Sequence, residues 1–494
     1  MPKILFGRNG ISAYKKSKRI FGGLKQKRMS EFFTIMKSEL ILAGIIFLLL
    51  LIKLGKGIKN ETLLGIIQLL LLVNFIAGCF MNFDASWFDN MYQTNPMIAL
   101  QKNILNLGVY LIALLFADWF IKTDHLAEFF ILLLSALLGM FLLLSSGNFL
   151  MFYLSLELAT IPVAALANFD LQKKISSEAA MKMILSSAFS SGILLFGISV
   201  VYGVTGTISF AELPAALNGS PIQIMALVFL FSAFAFKLSI VPFHLWTADV
   251  YEGSPFAVTA FLSVISKGAI AFVFIAALYK VFQPMHAVWY NMLMALSILT
   301  MIVGNLFALR QQNIKRFLAF SSIAQVGFIL VGMSSNAPQG ITSVVYFVLI
   351  YVFSNLAAFG VAAVIASHAG KERIEDYKGL YQTNPFLSWI LALALFSLAG
   401  IPPTAGFFGK LFLLTAGASQ ANYAFITIAA LNMIVSLYYY LRVIRSVFMD
   451  KNDNPVSKAN IHPYTKFGLI ICGAGIVATG VFSWIYDYIV SLLQ

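Results

Sequence analysis

The chain has 494 residues, of which 60% are hydrophobic and only 11% charged, with a mean hydropathy of +0.87 and a formal net charge of +13 at pH 7. No soluble globular domain has this composition, so the chain reads as an integral membrane protein. Its two cysteines, Cys79 and Cys472, lie far apart in apolar runs; without a CxxC pair, a His/Cys cluster at metal spacing or a GxGxxG after a strand, the sequence offers no iron–sulfur, zinc or dinucleotide site. Any redox chemistry would belong to other chains.

Residues 1–30 form a basic tail with nine Lys and Arg, from Lys3 to Arg28, and no acid. The tail lacks the apolar core of a cleavable signal peptide. Downstream, apolar runs long enough to cross a bilayer predict fourteen spans, the first one short. They lie near 38–52, 62–83, 103–121, 126–146, 148–168, 179–202, 222–246, 256–282, 288–309, 317–334, 340–367, 386–416, 421–448 and 465–490. The break between the fourth and fifth falls at Ser145-Ser146-Gly147-Asn148. The links are short, so no soluble domain is inserted.

Fourteen spans put both termini on one side. Alternate links then collect eighteen Lys and Arg, among them Lys53, Lys122, Lys173, Lys182, Lys315, Arg316 and Lys458, and the opposite links hold only Lys102 and Lys280. The positive-inside rule makes the eighteen-charge side cytoplasmic and turns the termini outward. The basic tail contradicts this, because it resists translocation. The explanations that stay open are that translation starts at Met29, that the tail is tolerated, or that the helix count is wrong.

Three lysines remain, and all fall inside spans: Lys237 on the seventh, Lys267 on the eighth and Lys410 on the twelfth. One carboxylate is placed alike, Glu157 on the fifth. Pro242 follows Lys237 by five residues, as Pro162 follows Glu157, and Ile401-Pro402-Pro403 precedes Lys410. A lysine near a span end ordinarily snorkels to the interface, but Lys237 and Lys267 sit near the middle of theirs. A charge at mid-bilayer costs at least about 2.5–3.5 kcal/mol and by default marks an ion path or proton relay. Desolvation loosens a lysine's hold on its proton and a nearby carboxylate tightens it, so a Glu–Lys pair that opens and closes switches proton affinity. A proline beside such a group breaks the helix and frees carbonyls, which is tolerated where the backbone lines a wet cavity. Broken helices in two halves also hint at inverted repeats, although lysine and proline come in opposite order in the seventh and twelfth spans.

At these residues a family resemblance appears. The segment 237-KLSIVPFHLWTADVYEGSPFAVTAFLSVISKGA-269, with 313-NIKRFLAFSSIAQVGF-328 and 397-SLAGIPPTAGFFGKL-411, resembles the antiporter-like subunits of proton-pumping NADH:quinone oxidoreductase, respiratory complex I. The resemblance covers about residues 30–490. The lysine in the twelfth span and the end of the chain after the fourteenth set it apart from M-type and L-type members. The resemblance implies an all-α membrane fold of about fourteen helices with two inverted five-helix repeats, broken at helices 7 and 12. The implied division is a tail over 1–30, helices 1–3 over 31–125, a first repeat over 126–285, a second over 286–450 and helix 14 over 451–494.

The implied relay has Glu157 as carboxylate partner of Lys237, Lys267 as central group and Lys410 as terminal site. Gln325 stands where many relatives have histidine, which puts a histidine relay on helix 10 in doubt. His244 is an accessory residue at a helix break, with a satisfied structural histidine as the plainer role. Asp118, Asp249, Glu252 and Asp487 read as interfacial. This chain is expected to hold no cofactor or metal, with NADH, FMN, iron–sulfur clusters and quinone in partner subunits. The expected partners are other membrane subunits of complex I, of M type and small K type, and the lipid bilayer, with no nucleic acid. The expected location is a bacterial inner (plasma) membrane. Two alternatives share the fold: a subunit of a multi-subunit cation/proton antiporter, and a structural membrane subunit. If translation starts at Met29, N-terminal peptide mapping of the purified protein will find no peptide from 1–28; a Met1 peptide excludes that start.

Overall fold

The computed structural model describes residues 31–55, 58–80 and 83–493. The basic tail and the Met29 question lie outside these residues. Each expected span has a helix, whole or broken, at its place. These are α1 (Lys37–Leu54), α2 (Asn60–Gly78), α3 (Pro96–Leu115), α4 (Leu126–Leu144), α5 (Phe149–Ala167), α6 (Lys174–Thr205), α7a (Pro221–Leu238) with α7b (Leu245–Gly253), and α8 (Phe256–Lys280). The second half continues with α9 (His286–Arg310), α10 (Ile314–Met333), α11 (Pro338–Ala369), α12a (Pro385–Ala399) with α12b (Ala405–Ala418), α13 (Tyr423–Phe448) and α14 (Pro463–Val481). Among the described residues, twelve helices are long and apolar enough to cross a membrane. Outside that set fall α1, which carries Lys37, Glu39 and Lys53, and the twelfth helix, which is split into pieces of 15 and 14 residues.

Burial orders the helices into an inner group and a rim. The apolar windows of α8, α10 and α11 are 89%, 94% and 89% buried, against 44%, 39% and 33% for α5, α6 and α13. The central helices are therefore wrapped by protein on nearly every side, and Lys267 rides on one of them. Just ahead of it, residues Phe261–Ser266 of α8 form a π-helical turn, a local widening common at functional sites.

On one face, the antiparallel strands β1 (Ala85–Trp87) and β2 (Tyr92–Thr94) stitch onto the α4–α5 turn. The Gln93 N–H donates to the Ser145 carbonyl at 2.8 Å, and the Gly147 N–H donates to the Met91 carbonyl at 2.8 Å. The turn itself is where the sequence placed it: α4 stops at Leu144, and Asn148 caps α5 by accepting from the Met151 N–H at 2.8 Å.

The third helix departs most from expectation. It starts at Pro96 rather than near 103, because Asn95 caps it by accepting from the Ile98 N–H at 2.8 Å and Pro96 supplies a preset first residue. Lys102 is therefore not in a link. It is 1% exposed inside α3, with its ammonium 2.5 Å from Glu39 Oε1, 2.7 Å from Ser145 Oγ and 3.1 Å from the Tyr92 hydroxyl. Glu39 on α1 is 3% exposed and also accepts from the Tyr92 hydroxyl at 2.9 Å. This cluster pins α1, α3, α4 and the hairpin together. Removing one partner of a buried ion pair costs about 3–5 kcal/mol, whereas replacing both with apolar groups is often neutral. We expect Lys102→Met to lower the yield of intact protein after mild heating, and Glu39→Met with Lys102→Met to recover most of it, as read by size-exclusion chromatography.

Candidate functional site

Lys237 lies in the last turn of α7a. The helix stops at Ser239, which takes a left-handed φ of 64°, and residues 240–244 run non-helically, with a cis peptide before Pro242, to α7b. Trp246 closes the gap by donating its indole N–H to the Phe236 carbonyl at 3.1 Å. The Lys237 ammonium donates to Ser187 Oγ of α6 at 2.6 Å and to Thr160 Oγ1 of α5 at 2.9 Å. Beside it is a cavity of about 20 Å³ lined by Thr160, Ser187, Trp246 and Ser266 among others, room for one water. Lys237 itself and Ser266 of α8 are both in its wall, among mostly apolar neighbours such as Leu156, Met183 and Ile270.

Glu157 shares α5 with Thr160 but makes no ion pair with Lys237; its Oε1 is buried without a hydrogen-bond partner. Glu157 is within electrostatic reach of Lys237, while the direct hydrogen bonds to the ammonium come from the two hydroxyls. His244 sits in the break, 7% exposed, with Nδ1 lacking a partner.

Lys267 is 3% exposed and donates to Ser322 Oγ of α10 at 2.9 Å, with its ammonium 5.5 Å from the Tyr251 ring centre. One turn further along α10 is Gln325, whose amide donates to the Leu398 carbonyl of α12a and to the Tyr440 hydroxyl, each at 3.0 Å. The same Leu398 carbonyl accepts from Lys410 at 2.8 Å, and Ala399 accepts from it at 3.2 Å. The chemistry of this cradle follows from the sequence. In a continuous helix, the carbonyls of 398 and 399 would accept from the N–H groups of 402 and 403, but both are proline and have none. Lys410, 1% exposed on α12b, fills the vacancy. A close approach of the two half-helices makes this possible: the Gly406 N–H donates to Ser397 Oγ at 3.1 Å, and a Cβ at 406 would collide with the Ser397 carbonyl.

Lys267 and Lys410 therefore both contact α10, Lys267 through Ser322 and Lys410 through the Leu398 carbonyl it shares with Gln325, and Lys237 borders a separate water-sized space. A glutamine in this position bonds both neighbours but cannot itself carry the proton. The sequence did not show Tyr440, Ser321 (2.7 Å from Tyr440) or Ser187, because ordinary Ser and Tyr become path residues only through tertiary contact. It also placed Asp249 and Glu252 at the interface without partners. They form a network: Asp249 pairs with Lys182 at 2.6 Å and Arg316 at 2.9 Å, and Glu252 pairs with Arg316 at 2.7 Å. Next to it, Lys315 is 6% exposed and donates to the carbonyls of Glu252 and Ser254 at 3.2 and 3.0 Å, at the end of α7b. Among the described residues no group of His, Cys, Asp and Glu could hold a metal ion.

A membrane bundle with two proline-broken helices, each delivering a lysine to a buried polar line, defines the antiporter-like class of transport subunits. The chain belongs to the family described as "NADH:quinone oxidoreductase/Mrp antiporter, TM", whose profile matches residues 146–436. Within that family it is similar to NADH-quinone oxidoreductase subunit N: the Phocaeicola vulgatus protein of that name is 45% identical over 457 residues, covering 92% of this chain and 97% of the relative. A chain of respiratory complex I from Thermus thermophilus superposes with a TM-score of 0.76 at 28% identity, covering 90% of this chain and 97% of that one. A chain of the Mrp complex from Dietzia superposes at 0.82 with 19% identity, covering 93% and 96%, a likeness of fold. The whole-length match and the complex I likeness make this chain a multi-pass membrane subunit of a bacterial multi-subunit complex.

Losing both hydroxyl acceptors leaves a buried ammonium unsatisfied, at about 1–3 kcal/mol per lost partner. We expect Thr160→Val with Ser187→Ala to slow proton translocation in assembled complex by more than either change alone, as read with a pH-sensitive dye in membrane vesicles.

Proposed function

We propose that this chain translocates protons in an NADH:quinone oxidoreductase, through Lys237, Lys267 and Lys410 and the water around them, while redox chemistry proceeds in other subunits. The supporting observation is the contact line Lys267–Ser322, Gln325–Leu398 carbonyl–Lys410 across the centre of the bundle. Each lysine alternates between ammonium and amine. A proton given up by one passes through hydroxyl or water to the next, and the amine left behind is reloaded from its other side. Glu157 serves as a movable counter-charge: when it closes on Lys237 the ammonium is held, and when it stands off, as here, the hydroxyls take over. Gln325 orients the middle of the line without titrating, and His244 hydrates the break in α7.

In the same proposal, residues 126–285 and 286–450 are the two inverted repeats, each with its broken helix, flanked by helices 1–3 over 31–125 and helix 14 over 451–494. The enzyme is a translocase, and this chain holds none of its NADH, FMN, iron–sulfur or quinone sites. Its neighbours are an M-type and a small K-type membrane subunit. The membrane is the bacterial inner membrane, with the basic links inside and both termini outward.

The test is Lys237→Ala, with Lys410→Ala beside it, in native membranes. NADH-driven quinone reduction and the proton gradient are recorded together. We expect both to fall at least about tenfold, the effect of removing a required proton-transfer group, with the complex still assembled. Unchanged rates and gradient in both variants would make this a structural subunit. Co-purification without redox subunits would instead favour the cation/proton antiporter.

A further inference from the structure

A separate cavity has none of the three lysines in its wall. It has a volume of about 420 Å³ and lies between β2, the starts of α3 and α11, the end of α4, the 210–214 segment and the last three turns of α8. That volume is in the range of small-molecule sites, about 300–1,000 Å³. One end is polar: Lys280 at the end of α8, with the carboxamides of Gln93, Asn95 and Gln101. The rest is apolar, with Phe272, Val273 and Ile275 of α8 facing Leu143 and Leu144 of α4.

Three observations point to the occupant. First, among the described residues the wall includes a lysine and no acidic side chain, and the acid acting on that lysine, Asp84, is exposed outside the wall. Second, Gln101 is 6% exposed and makes no side-chain hydrogen bond among the described residues, although it opens into this space. Its amide opens into the cavity and is not sealed in protein, so it is free to bond a group bound there. Third, along the α8 wall the lining changes from Lys280 and Tyr279 to the apolar Ala277, Ala276, Ile275, Val273 and Phe272. Phe272 lies eight residues before Lys280 on α8, which at 1.5 Å per residue is about 12 Å further into the bilayer. A charged head at the interface over an apolar slot about 12 Å deep has the polarity profile of a lipid leaflet, and a water-soluble metabolite would have nothing to fill the slot.

We propose that this cavity binds one anionic phospholipid, its phosphate on Lys280 with donors from Gln93, Asn95 and Gln101, and one acyl chain lying along the α8 wall from Ala277 to Phe272. Lys280 supplies the charge, and the carboxamides supply neutral N–H donors around the remaining phosphate oxygens. The polar end is held rigid from behind. Gln93 and Ser146 directly follow, and Gln101 directly precedes, a member of the Glu39–Lys102 cluster, namely Tyr92, Ser145 and Lys102. The site is independent of the proton path.

The test uses the whole purified complex in phosphatidylethanolamine vesicles containing a trace of phosphatidylglycerol with a photoreactive diazirine on one acyl chain. After irradiation, adducts are mapped by mass spectrometry. We expect adducts on 272–277 and 143–144, reduced about tenfold in Lys280→Gln, the loss of one charge-assisted contact. Lys458→Gln serves as a control for general surface charge. Unchanged adducts in Lys280→Gln overturn the proposal, and so does equal labelling by a diacylglycerol probe with the same chain and no phosphate. If Lys280→Gln does not assemble, Ala276→Trp fills the slot from its apolar side: loss of the adducts supports the site and their persistence overturns it. Because labelling needs no turnover, it stands or falls separately from proton translocation.

Discussion

The interaction on which the rest depends is that between Lys410 and two carbonyls left without donors by Pro402 and Pro403. In hydrocarbon, neither an unpaired carbonyl nor an unpaired ammonium is tolerable, since each costs several kcal/mol. Together each resolves the other's deficit. The break in α12 cannot be straightened without stranding the lysine, and the lysine cannot leave without stranding the Ala399 carbonyl, since Leu398 keeps the Gln325 amide. The glycine at 406 is needed because the two half-helices must come within hydrogen-bond distance for the exchange to work. Gln325 then attaches this joint to the middle of the bundle by bonding one of the same carbonyls.

The break in α7 is solved differently. Pro242 deprives only the Leu238 carbonyl of its helical donor. The nearby Phe236 carbonyl takes the Trp246 indole, and Lys237 turns sideways to two hydroxyls on neighbouring helices. So the two halves of the molecule share a motif at the level of a broken helix with a lysine, while the lysine contacts differ in kind. The difference accounts for the opposite order of proline and lysine in the two segments. Where lysine follows the prolines, it can reach back over the break; where it precedes the proline, it must find partners elsewhere. The inner position of α8, α10 and α11 keeps the connecting line away from lipid along its whole length.

Much of this was legible in the sequence. The spans were visible because membrane helices leave long apolar runs, and the four intramembrane ionisable groups were visible because charges in those runs are rare. The turn at Ser145-Ser146-Gly147-Asn148 was visible through its small residues and capping asparagine. Lys102 was misplaced for an instructive reason: a charge near the edge of an apolar run looks like the end of that run, although Asn95-Pro96 already signalled an earlier helix start. That Lys237 bonds directly to hydroxyls, with Glu157 acting on it only through its charge, could not be read, because spacing from prolines says nothing about distance between helices. Ser187, Ser321, Ser322 and Tyr440 carry no local signature; what makes them matter is which helix packs against which.

The hydroxyls at Lys237 and the carbonyls at Lys410 are not equivalent once a proton leaves. A hydroxyl can rotate and donate to the lone pair of a neutral amine, so Thr160 and Ser187 can serve Lys237 in both of its charge states. A carbonyl can only accept. When Lys410 becomes an amine its lone pair finds no donor in Leu398 or Ala399, and must turn toward whatever lies on the other side. If these lysines carry protons as proposed, the Lys237 cradle can follow a change of charge by turning its hydroxyls, whereas the Lys410 cradle offers acceptors alone, which the two N–H bonds of a neutral amine still satisfy.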